Sequence, residues 1–200
     1  MTTMVALCGP SPLGPPGEKI MTSYSFLKHP LVGELLMIAN PTELIGVHFA
    51  DRKRAPAIQR NWKLNPKQAI LKEASRQIQD YLSGRRTSFS IPFHSTGTAF
   101  QLKIWREIAS IPFGETISYS ELARRAGAPR AVRAAGSAAG KNPLCILTPC
   151  HRVVAKDGTL GGFGGGLARK KRLLAVEKNQ DFAGESQAHV PAMEGRPGRQ

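Results

Sequence analysis

Cysteine is scarce: Cys8, Cys145 and Cys150 are the only three among 200 residues. That count is too low and too uneven for the disulfide framework of a small secreted domain. Long apolar runs are missing as well, none approaching the roughly 18 residues a membrane span needs. The opening MTTMVALCGPSPLGPP lacks the basic start and sustained apolar stretch of a secretory signal. These absences point to a reducing interior, cytoplasmic or, in a eukaryote, nuclear, with no membrane partner. Acidic residues are few, 14 against 28 Lys and Arg, so the net charge is +14. A soluble chain this basic usually meets a polyanion, most often nucleic acid. The plainer alternative is a basic surface with no such ligand. Most of the excess lies between residues 100 and 180. Apolar content, at 41%, suffices for a buried core in one or two small domains and excludes wholesale disorder.

The pattern along the chain suggests four regions. Residues 1–22 are rich in Pro and Gly and read as a flexible arm. In 23–95, the stretches 24–40 and 44–51 read as short strands broken by Pro, Gly and Asn. Asn65-Pro66 reads as a helix cap and first helical position, with Ile70, Leu71, Ala74, Ile78, Tyr81 and Leu82 recurring at helical spacing up to Gly84. TSFSIPF (87–93) reads as a further strand. In 96–180, Thr98 and Gln101 form a capping-box pattern, and so do Ser118 and Glu121. The segments SELARRAG and RAVRAAGSAAG then make a helix-turn-helix candidate, followed by a helix over 167–177. Residues 181–200 read as a mobile tail. The fold class expected is α+β.

The second helix of that pair is built almost wholly of Ala and Gly, with Arg124, Arg125, Arg130 and Arg133 nearby. Small side chains permit close approach to a DNA groove. They equally permit tight helix–helix packing with the arginines in water, and this segment alone does not separate the two.

ILTPCHRVV (146–154) carries the chemistry: a β-rich apolar run delivers Cys150 between Pro149 and His151. A nucleophilic cysteine needs a nearby base, cation or helix N-terminus to lower its pKa. His151 and Arg152 are candidates by proximity. Adjacent side chains seldom face each other, so His151 would reach Cys150 through a water or a turn. Taken alone, Cys-His fits an inert buried cysteine better.

Around this string the match widens. FQLKIWREIASIPFGETISYSELA (100–123), PRAVRAAGSAAGKNP (129–143), ILTPCHRVV (146–154) and GGLARKKRLLAVE (165–177) together resemble the O6-alkylguanine-DNA alkyltransferases, the methylated-DNA–protein-cysteine methyltransferases. The resemblance covers about 80 consecutive residues in order, and the upstream half only loosely. It implies a ribonuclease H-like sheet-and-helix domain followed by a winged helix-turn-helix-like domain. It implies irreversible transfer of an alkyl group from O6-alkylguanine in double-stranded DNA, with O4-alkylthymine a further candidate substrate, to Cys150. By the same resemblance His151 takes the thiol proton through water, Glu177 orients His151, and Asn142 belongs to that network. Tyr119 assists nucleotide extrusion and protonates the departing guanine. Arg133 fills the vacated stack, while Arg130, Ala134 and Gly136 belong to the minor-groove helix. Phe163, Gly164 and Val153 line the base pocket. The implied protein is a monomer that acts once and needs no cofactor or metal; cooperative binding along DNA is left open.

Phe163 stands where some relatives have Tyr, and Gly164 where some have a hydroxyl side chain, so a roomier, less selective pocket is expected. GGFGGG (161–166) lacks the Lys-Ser/Thr of a phosphate-binding loop. Cys8, His29, His48 and His94 do not match a zinc spacing. A disulfide would remove the acceptor, so Cys145 is read as a small core residue. RKKR (169–172) is read as a solvated or DNA-facing helix surface. Two other classes compete: a non-catalytic lesion-binding protein, disfavoured by Cys150, and a cysteine hydrolase, which would leave the helix-turn-helix and the charge unexplained.

Overall fold

The computed structural model describes residues 21–178. Residues 1–20 of the expected arm, and the whole expected tail, lie outside them. The first half is a four-stranded sheet of β1 (Ser23–His29), β2 (Gly33–Ala39), β3 (Leu44–Phe49) and β4 (Lys63–Leu64), in the order β3-β2-β1-β4. β1 to β3 form an antiparallel meander and β4 runs parallel to β1. α1 (Ala69–Leu82) lays Leu71, Ala74, Ile78, Tyr81 and Leu82 into one core with Leu35, Met37 and Val47. These are the helical-spacing positions, apart from half-buried Ile70.

Two sequence expectations are corrected here. Asn65-Pro66 does not cap α1. Asn65 donates its N–H to the Tyr24 carbonyl at 2.9 Å, prolonging the β1–β4 pairing, and the helix begins only after Gln68. TSFSIPF forms no strand. It touches β3 through a single bridge, Phe93 to Leu44, because Pro92 has no N–H for a ladder. Gln77 on α1 holds the segment instead, bonding both the Ser90 hydroxyl and the Ser90 N–H.

The second half contains α2 (Ala99–Ala109), β5 (Ile117–Ser118), α3 (Tyr119–Arg125), α4 (Val132–Ala139), β6 (Val153–Val154) and α5 (Leu167–Glu177). Thr98 and Gln101 complete a capping box on α2. At α3 only half of one forms: Ser118 accepts from the Glu121 N–H, while the Glu121 carboxylate pairs with Arg124 and Arg125. α3 and α4 make the helix-turn-helix. Ala135, Ala138 and Ala139 pack in a second core with Ile104, Trp105 and Ile108, and the Trp105 indole donates to the Ala138 carbonyl at 2.9 Å.

The halves are joined where the reaction would occur. The free edge of β3 pairs with the segment leading to Cys150: Val47 donates to the Pro143 carbonyl at 2.8 Å, and Cys145 donates to the Val47 carbonyl at 3.0 Å. Leu144, Ile146 and Leu147 then bury in the first core. The segment that presents the cysteine is therefore anchored by the other half of the chain.

Candidate active site

Between Asn142 and Cys150 the chain doubles back. Thr148 donates its N–H to the Leu144 carbonyl at 2.9 Å, and Ile146 sits at φ +76°, a costly conformation for a β-branched residue. Asn142 holds the turn from inside. Its Oδ1 accepts the Leu144 N–H at 2.9 Å, and its Nδ2 donates to the Thr148 carbonyl at 2.7 Å and to Cys150 Sγ at 3.3 Å. One amide thus fixes the backbone and faces the sulfur. Cys150 starts a single 3₁₀ turn, Cys150–Arg152, and is nearly buried. Its pKa lies below that of an ordinary thiol. The main cause is the neighbouring Cys145 thiol, joined by the Asn142 bond and the Lys170 charge and opposed by burial.

His151 is fully buried, and its Nε2 lies 2.5 Å from Glu177 Oε1. Burial raises the Glu177 carboxyl, but the bonds and charges of His151 and Arg152 outweigh it and hold the pKa at about 2. Because Glu177 is ionised it can only accept, so Nε2 carries the proton and Nδ1 is the basic nitrogen. Nδ1 has no hydrogen-bond partner among the described residues. Burial keeps the imidazole pKa below its ordinary value. Arg152 Nε lies 2.9 Å from Glu177 Oε2, and Arg152 Nη1 donates to the Ile111 carbonyl at 2.5 Å. Tyr81, on α1, donates to Glu177 Oε1, and the Gly114 N–H donates to Oε2 at 3.0 Å.

Cys150 opens onto a cavity of about 880 Å³, lined also by Tyr119, Arg133, Gly136, Phe163 and Gly164. Tyr119 donates to the Gly162 carbonyl at 2.8 Å, and burial together with the Cys150 charge raises its pKa. The Phe163 ring meets His151 edge-on, with centroids 6.4 Å apart. Arg133 and Ala134 are exposed on α4, and Arg130 is exposed just before it; Gly136 faces the Tyr119 ring. Val153 is not in the cavity wall. It is fully buried in the second core, paired with Ile117, and its carbonyl accepts from Lys170 at 2.5 Å.

Two further expectations hold only in part. Cys145 packs against the first core, but it is partly exposed and lines the same cavity as Cys150. The RKKR run is a solvated face only in part: Lys171 and Arg172 are exposed, but Lys170 is fully buried, donating to the Val153, Leu160 and Gly162 carbonyls, and burial lowers its pKa to about 8. Arg169 donates to the Val32 and Gly165 carbonyls and pairs with Asp51. These cations, with Arg52 bonded to the Gly165 carbonyl, pin the glycine loop. A Cβ on Gly165 would come within 2.6 Å of Phe163 and closer still to Phe49, so only glycine fits there. Sequence reasoning missed Tyr81, Lys170, Arg52 and the orientation of Arg152. For Arg152 the adjacency to His151 was a usable signal; for the others the partners lie too far off in sequence. No three His, Cys, Asp or Glu side chains gather as a metal site among the described residues, and Cys8 lies outside them.

Family models match in the same order as the two halves. Residues 22–94 match "6-O-methylguanine DNA methyltransferase, ribonuclease-like domain", and residues 99–179 match the "DNA binding domain" of the same enzyme. A methylated-DNA–protein-cysteine methyltransferase of Methanosarcina barkeri is 39% identical over 78% of this chain and 97% of its own. The chain belongs to the methylated-DNA–protein-cysteine methyltransferase family. A second member, from Mycobacterium leprae, is 40% identical over 74% of this chain and 88% of its own. Among solved members, the Mycobacterium tuberculosis OGT crystallised in complex with DNA superposes with a TM-score of 0.73 at 35% identity, over 79% of this chain and 94% of that one. The fold is that of the family: a ribonuclease-like domain followed by a DNA-binding domain.

Proposed function

We propose that this protein repairs DNA by direct reversal, taking the alkyl group of O6-alkylguanine onto Cys150. The observation that carries the reading is a nearly buried thiol in the cavity wall, held by Asn142, followed directly in the chain by a buried His151–Glu177 pair whose Nδ1 has no partner among the described residues. His151 Nδ1 takes the thiol proton through a bridging water. Sγ attacks the alkyl carbon, the S–C bond forms, the C–O6 bond breaks, and the electron pair leaves with guanine, which Tyr119 protonates. Within the base stack O6 is out of reach of a thiolate. The nucleotide must turn out of the helix, at a cost of a few kcal/mol. Arg133, exposed at the cavity rim, fills the gap from the minor groove, where the small exposed face of α4 allows close contact. O4-alkylthymine presents the same ether on a smaller ring and enters the same cavity.

No group in the site offers a route for cleaving the resulting thioether, so the protein is consumed. Titration with duplex DNA containing O6-methylguanine tests this. One equivalent of methyl is transferred and the reaction then stops. Continued turnover would indicate a hydrolase, and tight binding without an adduct would indicate a lesion-binding protein.

A further inference from the structure

The acceptor thiol has a second thiol beside it. Cys145 Sγ lies against the Asn142 carbonyl at 4.0 Å, while the side-chain amide of the same Asn142 donates to Cys150 Sγ at 3.3 Å. Both cysteines line one cavity, and both are reduced. The turn that carries them folds back on itself, with Cys145 bridged to Thr148 and the Cys150 N–H bonded to the Thr148 carbonyl at 2.8 Å. No bond of the alkyl transfer described above is made or broken at the Cys145 sulfur.

We propose that Cys145 is a resolving thiol, which closes an intramolecular disulfide with Cys150 once a hydroperoxide has oxidised Cys150. The regulatory meaning rests on Cys150 being the alkyl acceptor; the disulfide chemistry does not. In the first step the Cys150 thiolate attacks the peroxide. It becomes a sulfenic acid, and water or an alcohol leaves. In the second, Cys145 sulfur attacks the sulfenic sulfur, the S–S bond forms and water leaves. Two thiols are oxidised and one peroxide is reduced. A dithiol reductant reverses this by exchange, giving back both thiols and a cyclic disulfide.

The division of labour follows from the surroundings. The neighbouring Cys150, with burial, pushes the Cys145 thiol well above its ordinary value, while the neighbouring Cys145 lowers Cys150. Oxidants attack thiolates, so Cys150 reacts first, and a neighbouring thiol then diverts it from irreversible over-oxidation. The switch would protect the acceptor and at the same time hold it out of use.

A single tryptic peptide, Asn142–Arg152, carries both sulfurs. In a Cys8→Ser background, one equivalent of hydrogen peroxide should lower that peptide's mass by two hydrogens and block its alkylation by N-ethylmaleimide. The oxidised protein should take no methyl group from DNA, and dithiothreitol should restore full transfer. In Cys145→Ser, excess peroxide should instead carry Cys150 past the sulfenic acid, adding two or three oxygens to the peptide, with transfer lost beyond rescue by dithiothreitol. A peptide that keeps two alkylatable thiols, or that over-oxidises at Cys150 with Cys145 free in the unsubstituted site, overturns the proposal. If the reduced protein takes no methyl group, the acceptor reading fails, and the peptide mass still reports the disulfide on its own.

Discussion

Glu177 is the residue on which the site turns. Its two carboxylate oxygens take bonds from Tyr81, His151, Arg152 and the Gly114 N–H, and its side chain is fully buried. Removing one partner of such a buried arrangement leaves a charge uncompensated, at a typical cost of about 3–5 kcal/mol. Glu177→Gln should therefore lower stability by that order in denaturant unfolding. It should also slow alkyl transfer, because the amide no longer fixes the proton on Nε2. The pH dependence has a definite sign. The folded carboxyl, at about 2, is depressed below its ordinary value of 4.5. Its contribution is complete above about 4.5 and is lost as pH falls towards 2. His151 acts in the same direction from higher pH, since burial lowers its pKa from 6.5. Unfolding free energy should fall progressively below pH 6.5, and Glu177→Gln should flatten the lower part of the profile, below about 4.5. The pair His151–Glu177 and the Asn142 amide could be named from a resemblance resting on sequence strings. Tyr81 could not: it reads as one more apolar position of α1, and only the fold carries its hydroxyl across to Glu177.

At the scale of elements, α4 shows the tight helix packing that its composition allowed and leaves a second face exposed, the one proposed above to meet DNA. Its small residues serve two faces. Ala135, Ala138 and Ala139 are buried, in a core that includes α2, while Arg133, Ala134 and Ser137 are exposed. The faces can be separated by substitution. Ala138→Leu overpacks the contact with Trp105 and should cost about 1–3 kcal/mol of stability. Ala134→Glu should leave the unfolding midpoint within about 0.5 kcal/mol. It should nevertheless weaken DNA binding at least tenfold in a fluorescence titration, by placing a bulky negative charge against the groove. Unchanged affinity in Ala134→Glu would remove α4 from the DNA interface. Element boundaries were legible where a side chain caps the helix, as at Thr98, and were misread where Pro suggested a cap but backbone pairing took the N–H instead, as at Asn65. The segment 87–93 has the composition of a strand. A proline and a side-chain tether from Gln77 outweigh that propensity.

Across the whole molecule, the first half acts as a clamp on the reacting segment. β3 binds residues 143–145, Tyr81 reaches Glu177, and Arg52 holds the glycine loop. None of these contacts was legible in the sequence, because each joins residues far apart in the chain. The general architecture was, because hydrophobic periodicity and paired turn signals are local. The pinned loop also bears on selectivity. A cavity of about 880 Å³ with Phe163 and Gly164 in its wall should admit a large alkyl group, so transfer rates from O6-benzylguanine and O6-methylguanine in DNA should lie within about tenfold of each other, a difference of 1.4 kcal/mol in barrier. Strong discrimination against benzyl would show that the loop, though poor in side chains, closes the pocket. The net charge of +14 sets a further expectation: affinity for undamaged duplex should fall steeply with salt, each phosphate contact adding about −0.9 to the log–log slope.

The central claim is that Cys150 accepts the alkyl group. Intact-protein mass after mixing with duplex DNA containing O6-methylguanine, run beside Cys150→Ala and followed by mapping of the peptide Asn142–Arg152, tests it most directly. A gain of one methyl group on Cys150, absent from Cys150→Ala, is the predicted result. A methyl group found on Cys145 or Cys8, or no gain despite tight binding to the lesion, would contradict it.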